Sequence, residues 1–251
     1  MSLVDRWQPP VDAEVPKTTT AFRSHSFFQT IQRGTHMLKM KRAHSCAMRD
    51  EIYALRYRAY RKEEAIEANN IEAFEDQYDH QPNNVLWALT LDEKVVGSIR
   101  TTWFDPADPH PIPEMHAYSE EISRLVPFGV RMLSGNRLVT EPTLAAMSAQ
   151  FVFFLLMHHM VVAQKRADWA VAAARINHLA FYRRVLRLER ASEGKPYPGL
   201  CCPMYLMACD FKANIDSVME KMPQLKPRGF EQMFLDPHYE DAWEIGLPVE
   251  A

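Results

Sequence analysis

The sequence predicts a mixed α/β fold, a mostly antiparallel sheet with helices on its faces, and three observations carry that prediction. Two apolar runs, 85–91 and 95–103, are parted only by Asp92, Glu93 and Lys94, the pattern of a hairpin with a short loop. Residues 144–166 are apolar almost all round, as in a helix buried at the centre of a molecule. A strand–helix–strand unit then follows the early antiparallel strands, so the sheet is mixed.

The elements follow in order. Residues 1–36 read as an N-terminal extension with a short helix over 26–32, and 36–43 as a first strand. A helix is expected over 50–65, where Ile52, Leu55 and Ala59 share a face beside a stripe of Tyr53, Tyr57 and Tyr60. Residues 69–84 form a polar loop ending in the turn signal Pro82-Asn83-Asn84. After the hairpin, 105–113 holds four prolines and is loop. A helix over 114–125 and a strand over 131–141 come next. Thr143 is placed to cap the central helix over 144–166. A strand over 168–174, a helix over 177–188 and strands over 191–197 and 203–210 complete the domain, 37–211. Residues 212–251 read as a C-terminal extension, a short helix and then proline-punctuated chain.

The chain has 251 residues, 47% apolar and 24% charged, enough for a core without disulfides or metal. Its net charge of −3 gives no global sign of nucleic-acid binding. Cys46, Cys201, Cys202 and Cys209 form no C-x-x-C pair, so they read as reduced thiols of a cytoplasmic protein, with no metal site expected. No secretory leader is expected, and the apolar run 151–157 is far too short to span a membrane.

The charged groups suggest one polar site built by the N-terminal half. Arg100 sits mid-strand, where a charge is costly to bury without a partner; it suits a substrate carboxylate, an ion pair with Asp76 or Asp79, or both. Arg56 is the same case on a helix. Asp76 and Asp79 suit a substrate ammonium, and Arg137 suits a lock between its strand and an acidic partner. Trp103, Phe104, Met147, Phe151 and Phe154 are the candidate lining of an acyl pocket, although such stripes are more often plain core.

The motifs that carry a resemblance are Leu55-Arg56-Tyr57-Arg58-Ala59-Tyr60, the Asp76/Asp79 pair, Gly97-Ser98-Ile99-Arg100, Asn136-Arg137-Leu138-Val139, and His178 to Arg184 followed by Gly194-Lys195-Pro196-Tyr197-Pro198-Gly199. In this order, over about residues 38–211, they resemble GNAT-fold acyltransferases, within them the branch of acyl-homoserine lactone synthases and long-chain N-acyl amino acid synthases. The resemblance implies a sheet splayed at strands four and five, with helices on both faces. It implies an oxyanion received by a backbone N–H near 138–140, and Tyr182 as the acid that protonates the departing thiol. Autoinducer synthases of this branch carry a glutamate three residues before the strand-four arginine. Here that position is Ser134, which leaves Ser134 and Glu141 as the candidate bases.

The resemblance also speaks to the donor. Ordinary members cradle the coenzyme A pyrophosphate in a glycine-rich turn at a helix start. The matching turn here, 139–144, has no glycine and contains Glu141 and Pro142. That favours a donor without adenosine nucleotide: acyl-phosphopantetheine on acyl carrier protein, as co-substrate and not as a resident cofactor. Carrier proteins are acidic, so Lys165, Arg166, Arg183, Arg184, Arg187 and Arg190 are the candidate docking patch. The expected reaction is transfer of a medium or long acyl chain to the α-amine of an amino acid or derivative. The alternatives are autoinducer synthesis, acetyl transfer from coenzyme A, and a non-catalytic acyl-binding module.

Overall fold

The computed structural model describes residues 36–148, 152, 156, 167–214 and 247–249. The helix expected over 26–32, most of the one over 144–166, with Phe151, Phe154, Lys165 and Arg166, and most of 212–251 lie outside them.

Strands β1 (His36–Arg42), β2 (Asn84–Leu91), β3 (Lys94–Phe104), β4 (Met132–Thr140), β5 (Trp169–Ala174), β6 (Glu189–Arg190), β7 (Tyr205–Asp210) and β8 (Leu247–Val249) form one sheet. Its order is β6-β7-β5-β4-β3-β2-β1-β8. Every pair is antiparallel except β4–β5. Helices α1 (Cys46–Lys62) and α2 (Glu114–Leu125) cover one face, and α3 (Leu179–Leu186) lies on the other. Both faces are therefore apolar, and β2 and β3 are buried nearly end to end rather than alternating.

Local chemistry explains where the elements differ from expectation. Helix α1 starts four residues early because Ser45 accepts a hydrogen bond from the Met48 N–H at 3.2 Å. The β2–β3 turn has two residues, Asp92 and Glu93, both at positive φ, the geometry that matches strand twist. Glu141, not Thr143, caps the turn after β4, a 3₁₀ segment over Pro142–Met147. Helix α3 is shorter than expected and stops where Arg187 adopts the left-handed conformation, φ +58. The strand expected over 191–197 is absent: pairing is confined to β6 and a single bridge, Lys195 to Met204. Lys195-Pro196 and Pro198 interrupt the chain there, and proline cannot donate to a ladder.

Two irregularities in β4 position the site. Ser98 pairs with Val139 and Arg100 with Asn136, so Arg137 and Leu138 together oppose Ile99 in a bulge, with Arg137 at φ +54. On its other edge, β4 pairs with β5 only over Met132–Ser134, opposite Trp169–Val171. Beyond Ser134 the two strands part, and the sheet opens into a fork between strands four and five.

Candidate active site

A polar cluster fills the α1–α2 face of the sheet between two apolar clusters. One of these sits under α1, around Ile52, Leu55 and Leu86; the other under α2, around Tyr118, Ile122 and Leu206. Arg56 enters from the buried side of α1, and its Nη1 donates to both Asp79 oxygens at 2.9 and 2.8 Å. Both side chains are fully buried. A short 3₁₀ turn, Gln77–His80, brings the aspartates there. Asp76 caps it by accepting from the Tyr78 N–H, and Asp79 accepts in return from the Asp76 N–H at 2.9 Å.

Arg100 stands across from Asn136 on β3 and uses each of its donor groups. Nη1 and Nη2 grip Asp76 at 2.5 and 3.1 Å, Nη1 lies 2.9 Å from Asp79, and Nε donates to Asn136 Oδ1 at 2.5 Å. The bulge turns Arg137 onto the same carboxylate, with Nε 2.9 Å and Nη2 2.7 Å from Asp76 Oδ2. Its guanidinium lies over the Phe74 ring, 4.8 Å from the centroid. Burial alone would raise the Asp76 pKa. The hydrogen bonds and charges of Arg100 and Arg137 outweigh it and hold the carboxyl well below the ordinary range. Burial likewise opposes the charge on both arginines; Asp79 and Asp76 outweigh it for Arg100, and Tyr60, Asp76 and Tyr197 outweigh it for Arg137.

The α2 side of the face is different. Asn83 anchors the proline loop by donating to Trp103 O at 2.6 Å and His110 O at 3.1 Å, and that loop feeds Glu114 inward at the start of α2. Glu114 is completely buried, and neither carboxylate oxygen makes a hydrogen bond. Burial raises its pKa; the Ser134 hydroxyl and the Glu114 and Ala173 N–H groups, which lie near it but outside ordinary hydrogen-bond geometry, and the Arg100 charge pull the other way without overcoming it. Ser134 and Ala173 flank the fork, Ser134 as the last β4 residue paired with β5. Ser134 Oγ itself accepts from Asn136 Nδ2 at 2.8 Å. One hydrogen-bonded path thus runs Asp76–Arg100–Asn136–Ser134 and ends beside Glu114.

Tyr197 closes this side. Its loop is pinned by the Lys195–Met204 bridge and by the Cys201 N–H donating to Ala65 O at 2.8 Å. Gly199 adopts φ +75 there, and a Cβ at that residue would stand 3.2 Å from Phe74. Tyr197 is buried, and its hydroxyl has no hydrogen-bond partner. Burial and the Glu114 charge push its pKa well up.

The remaining candidates divide. Tyr182 is partly buried against the α3-face core, edge-on to Phe181 at 5.8 Å; burial, with the Tyr60 and Glu114 charges, pushes it up to about 12. Glu141 is committed elsewhere: it pairs with Arg58 at 2.7 Å and caps Thr143, which together lower its pKa despite partial burial. Trp103 and Met147 pack on the α3 face, but Phe104 packs on the α2 face, because neighbouring strand residues point to opposite sides. A single pocket lined by both Trp103 and Phe104 is therefore corrected. Sequence reasoning missed Glu114, Asn136 and Tyr197. The one available signal for Glu114 was a carboxylate at a helix start, which reads equally as a dipole partner. Among the described residues, no group of three His, Cys, Asp or Glu could hold a metal ion.

The family model for N-acyl amino acid synthase FeeM matches residues 51–210. No curated protein matches the chain. Among solved structures, FeeM, an N-acyl amino acid synthase from uncultured soil microbes, superposes with TM-score 0.57 at 15% identity, covering 70% of this chain and 92% of that one. TofI, in a ternary complex with an inhibitor and MTA, gives 0.53 at 16% identity, over 75% and 98%. BjaI, a CoA-dependent acyl-homoserine lactone synthase with SAM and isopentyl-CoA, gives 0.51 at 12% identity, over 75% and 90%. These likenesses establish the acyltransferase fold.

Proposed function

Because the chain belongs to the N-acyl amino acid synthase FeeM family and is an N-acyltransferase, we propose that it moves a medium or long acyl chain from the phosphopantetheine thioester of acyl carrier protein to the α-amine of an amino acid or derivative. One observation carries the choice of donor. At the turn after β4, where a pyrophosphate would need free N–H groups, the Glu141 carboxylate already accepts from the Thr143 N–H and Oγ1 at 3.2 and 3.0 Å. Pro142 offers no donor. An anionic nucleotide there would have to compete with Glu141 for the Thr143 donors and the Arg58 charge; a phosphopantetheine arm without nucleotide avoids that.

The fork between β4 and β5 suits the thioester. Backbone N–H groups of β4 past Ser134 stabilise the oxyanion as the amine adds to the carbonyl carbon. Tyr182 protonates the departing sulfur. The acyl chain lies along the α3 face, against Trp103 and Met147. Arg56, Arg100 and Arg137 set three positive charges against two on Asp76 and Asp79. That excess favours an acceptor carrying a carboxylate, through field rather than direct contact, since Arg100 is saturated. Arg183 and Arg184, exposed on α3, meet the acidic carrier. All four cysteines are free and, among the described residues, no helix is long and apolar enough to cross a membrane, which supports a cytoplasmic setting.

The test supplies one acyl chain on acyl carrier protein and on coenzyme A, each with the twenty amino acids, and reads N-acyl products by mass spectrometry. Product from the carrier donor at a clearly higher kcat/KM is the expected result. Equal or greater use of the coenzyme A donor overturns the donor assignment, and no product from either overturns the reaction.

A further inference from the structure

Two buried polar groups on the α2 side have no hydrogen-bond partner, and they act on each other electrostatically. Glu114 has two unbonded carboxylate oxygens, and Tyr197 an unbonded hydroxyl. Leaving such groups unmade is expensive, so native interiors keep them mainly where a ligand or a reaction uses them. The carboxylate lies beside Ser134 and Ala173, at the point where β4 and β5 separate, which is where the thioester carbonyl is placed by the reading above. By contrast, both oxygens of Asp76 and of Asp79 are engaged by arginines and backbone N–H groups. Neither can receive a substrate ammonium without giving up an ion pair.

We infer that Glu114 is the catalytic residue that binds the acceptor's ammonium and takes its proton, with the Tyr197 hydroxyl as a neighbouring polar group. This inference rests on the acyl-transfer reading for its chemistry. It assigns the base to a carboxylate on α2 that lies beside Ser134.

The step balances. The ammonium passes one proton to Glu114, and the freed nitrogen lone pair forms the bond to the thioester carbon. The tetrahedral adduct breaks its C–S bond, and the nitrogen loses a second proton, matched by the proton the thiolate takes up. The products are the amide, the free thiol and the proton held by Glu114, which leaves to solvent. An acceptor that is a free amino acid fits as a zwitterion, its ammonium on Glu114 and its carboxylate toward the excess charge of the arginine cluster.

Burial raises the Glu114 pKa above the ordinary carboxylate value. The Arg100 charge on β3 acts on it in the opposite sense, and the Glu114 charge raises the pKa values of Tyr78, Tyr118, Tyr182 and Tyr197, which keeps those phenols protonated. A raised carboxylate pKa brings its basicity closer to that of the task.

The test uses the full chain and the variants Glu114→Gln, Glu114→Asp and Tyr197→Phe. Binding of the twenty amino acids is measured singly by calorimetry without donor. Wild type binds at least one; Glu114→Gln loses about tenfold or more in affinity, and Tyr197→Phe less. In turnover with that acceptor, Glu114→Gln loses about 10²–10⁴ in kcat/KM. Its acid limb in the pH profile disappears, while Glu114→Asp keeps the limb. The circular-dichroism spectrum and the cooperativity of urea unfolding of Glu114→Gln match wild type, which shows that the fold is intact. Undiminished amino-acid binding and turnover in Glu114→Gln, or no binding by wild type, overturns the inference. Amino-acid binding that depends on Glu114, with no product from any thioester, overturns the acyl-transfer reading and leaves the amine site standing.

Discussion

The two halves of the polar face follow opposite rules. On the α1 side, Asp76 and Asp79 are each gripped by two guanidiniums and Arg100 spends every donor group. On the α2 side, the Glu114 carboxylate and the Tyr197 hydroxyl belong to buried residues and have no hydrogen-bond partner. The physical difference is one of purpose. Paired charges hold a bulged strand, a short turn and a helix in fixed register, because breaking one leaves an uncompensated buried ion; Arg56 is held through Nη1, its Nε and Nη2 having no hydrogen-bond partner. Unsaturated groups cost stability in the empty protein and recover it when a ligand supplies the missing partner. The first region is frame, and the second is the place where chemistry is expected.

The largest expected effect tests the frame. Asp79→Ala strands Arg56 and removes one of the two carboxylates on Arg100, and should cost about 3–5 kcal/mol by urea unfolding. A loss under about 1 kcal/mol would mean that the cluster does not hold the fold, and the contrast would collapse.

The next effect has the opposite sign. Glu114→Met replaces an unpaired buried carboxylate with an apolar chain of similar length, and should raise stability by about 1–3 kcal/mol while abolishing activity. The pH dependence sharpens this. The Glu114 pKa is raised in the folded state, so the native protein holds a proton that the unfolded chain gives up. Wild-type stability therefore contains a term that falls as pH rises from the ordinary glutamate value through the raised one, and the variant lacks that term. Asp76 runs the other way: its pKa is depressed, so its contribution is present above the ordinary aspartate value and is lost as pH falls toward the lower folded value. Melting curves of wild type and Glu114→Met across pH separate the two. Identical pH slopes in both proteins would remove Glu114 from the unsatisfied class.

The smallest effect lies at the rim. Glu141→Gly removes a half-exposed ion pair and a cap, costing about 1 kcal/mol. It also frees the turn after β4 for an anion, so use of acyl-coenzyme A relative to the carrier donor should rise. A variant whose donor preference is unchanged would separate Glu141 from donor choice and leave it as a cap.

Much of this was readable along the chain, and the reasons are specific. The β2–β3 hairpin was legible because two apolar runs met at a polar turn, and α2 because the proline loop marked its start. Arg56, Asp76, Asp79, Arg100 and Arg137 were legible as a set, since a charge within an apolar stripe has to find a partner. Their pairing was not: Asp76 and Asp79 were equivalent candidates until the 3₁₀ turn set one carboxylate between Arg100 and Arg137 and the other against Arg56 and Arg100. The strand expected over 191–197 failed because apolar spacing does not reveal that prolines leave a ladder without donors.

Local chemistry along the chain is enough to specify the elements, their order and the inventory of buried charge, because periodicity, caps and turn residues act over a few neighbours. It does not specify which charges remain unanswered. Glu114 and Ser134 are far apart in sequence and meet only because α2 leads back across the sheet to β4; Ala173 joins them from a third element, at a fork that exists because β4 and β5 diverge after three paired residues. Whether a buried carboxylate is satisfied depends on what the completed packing brings within hydrogen-bond reach, and that distance is set by the assembled sheet and not by any segment of it.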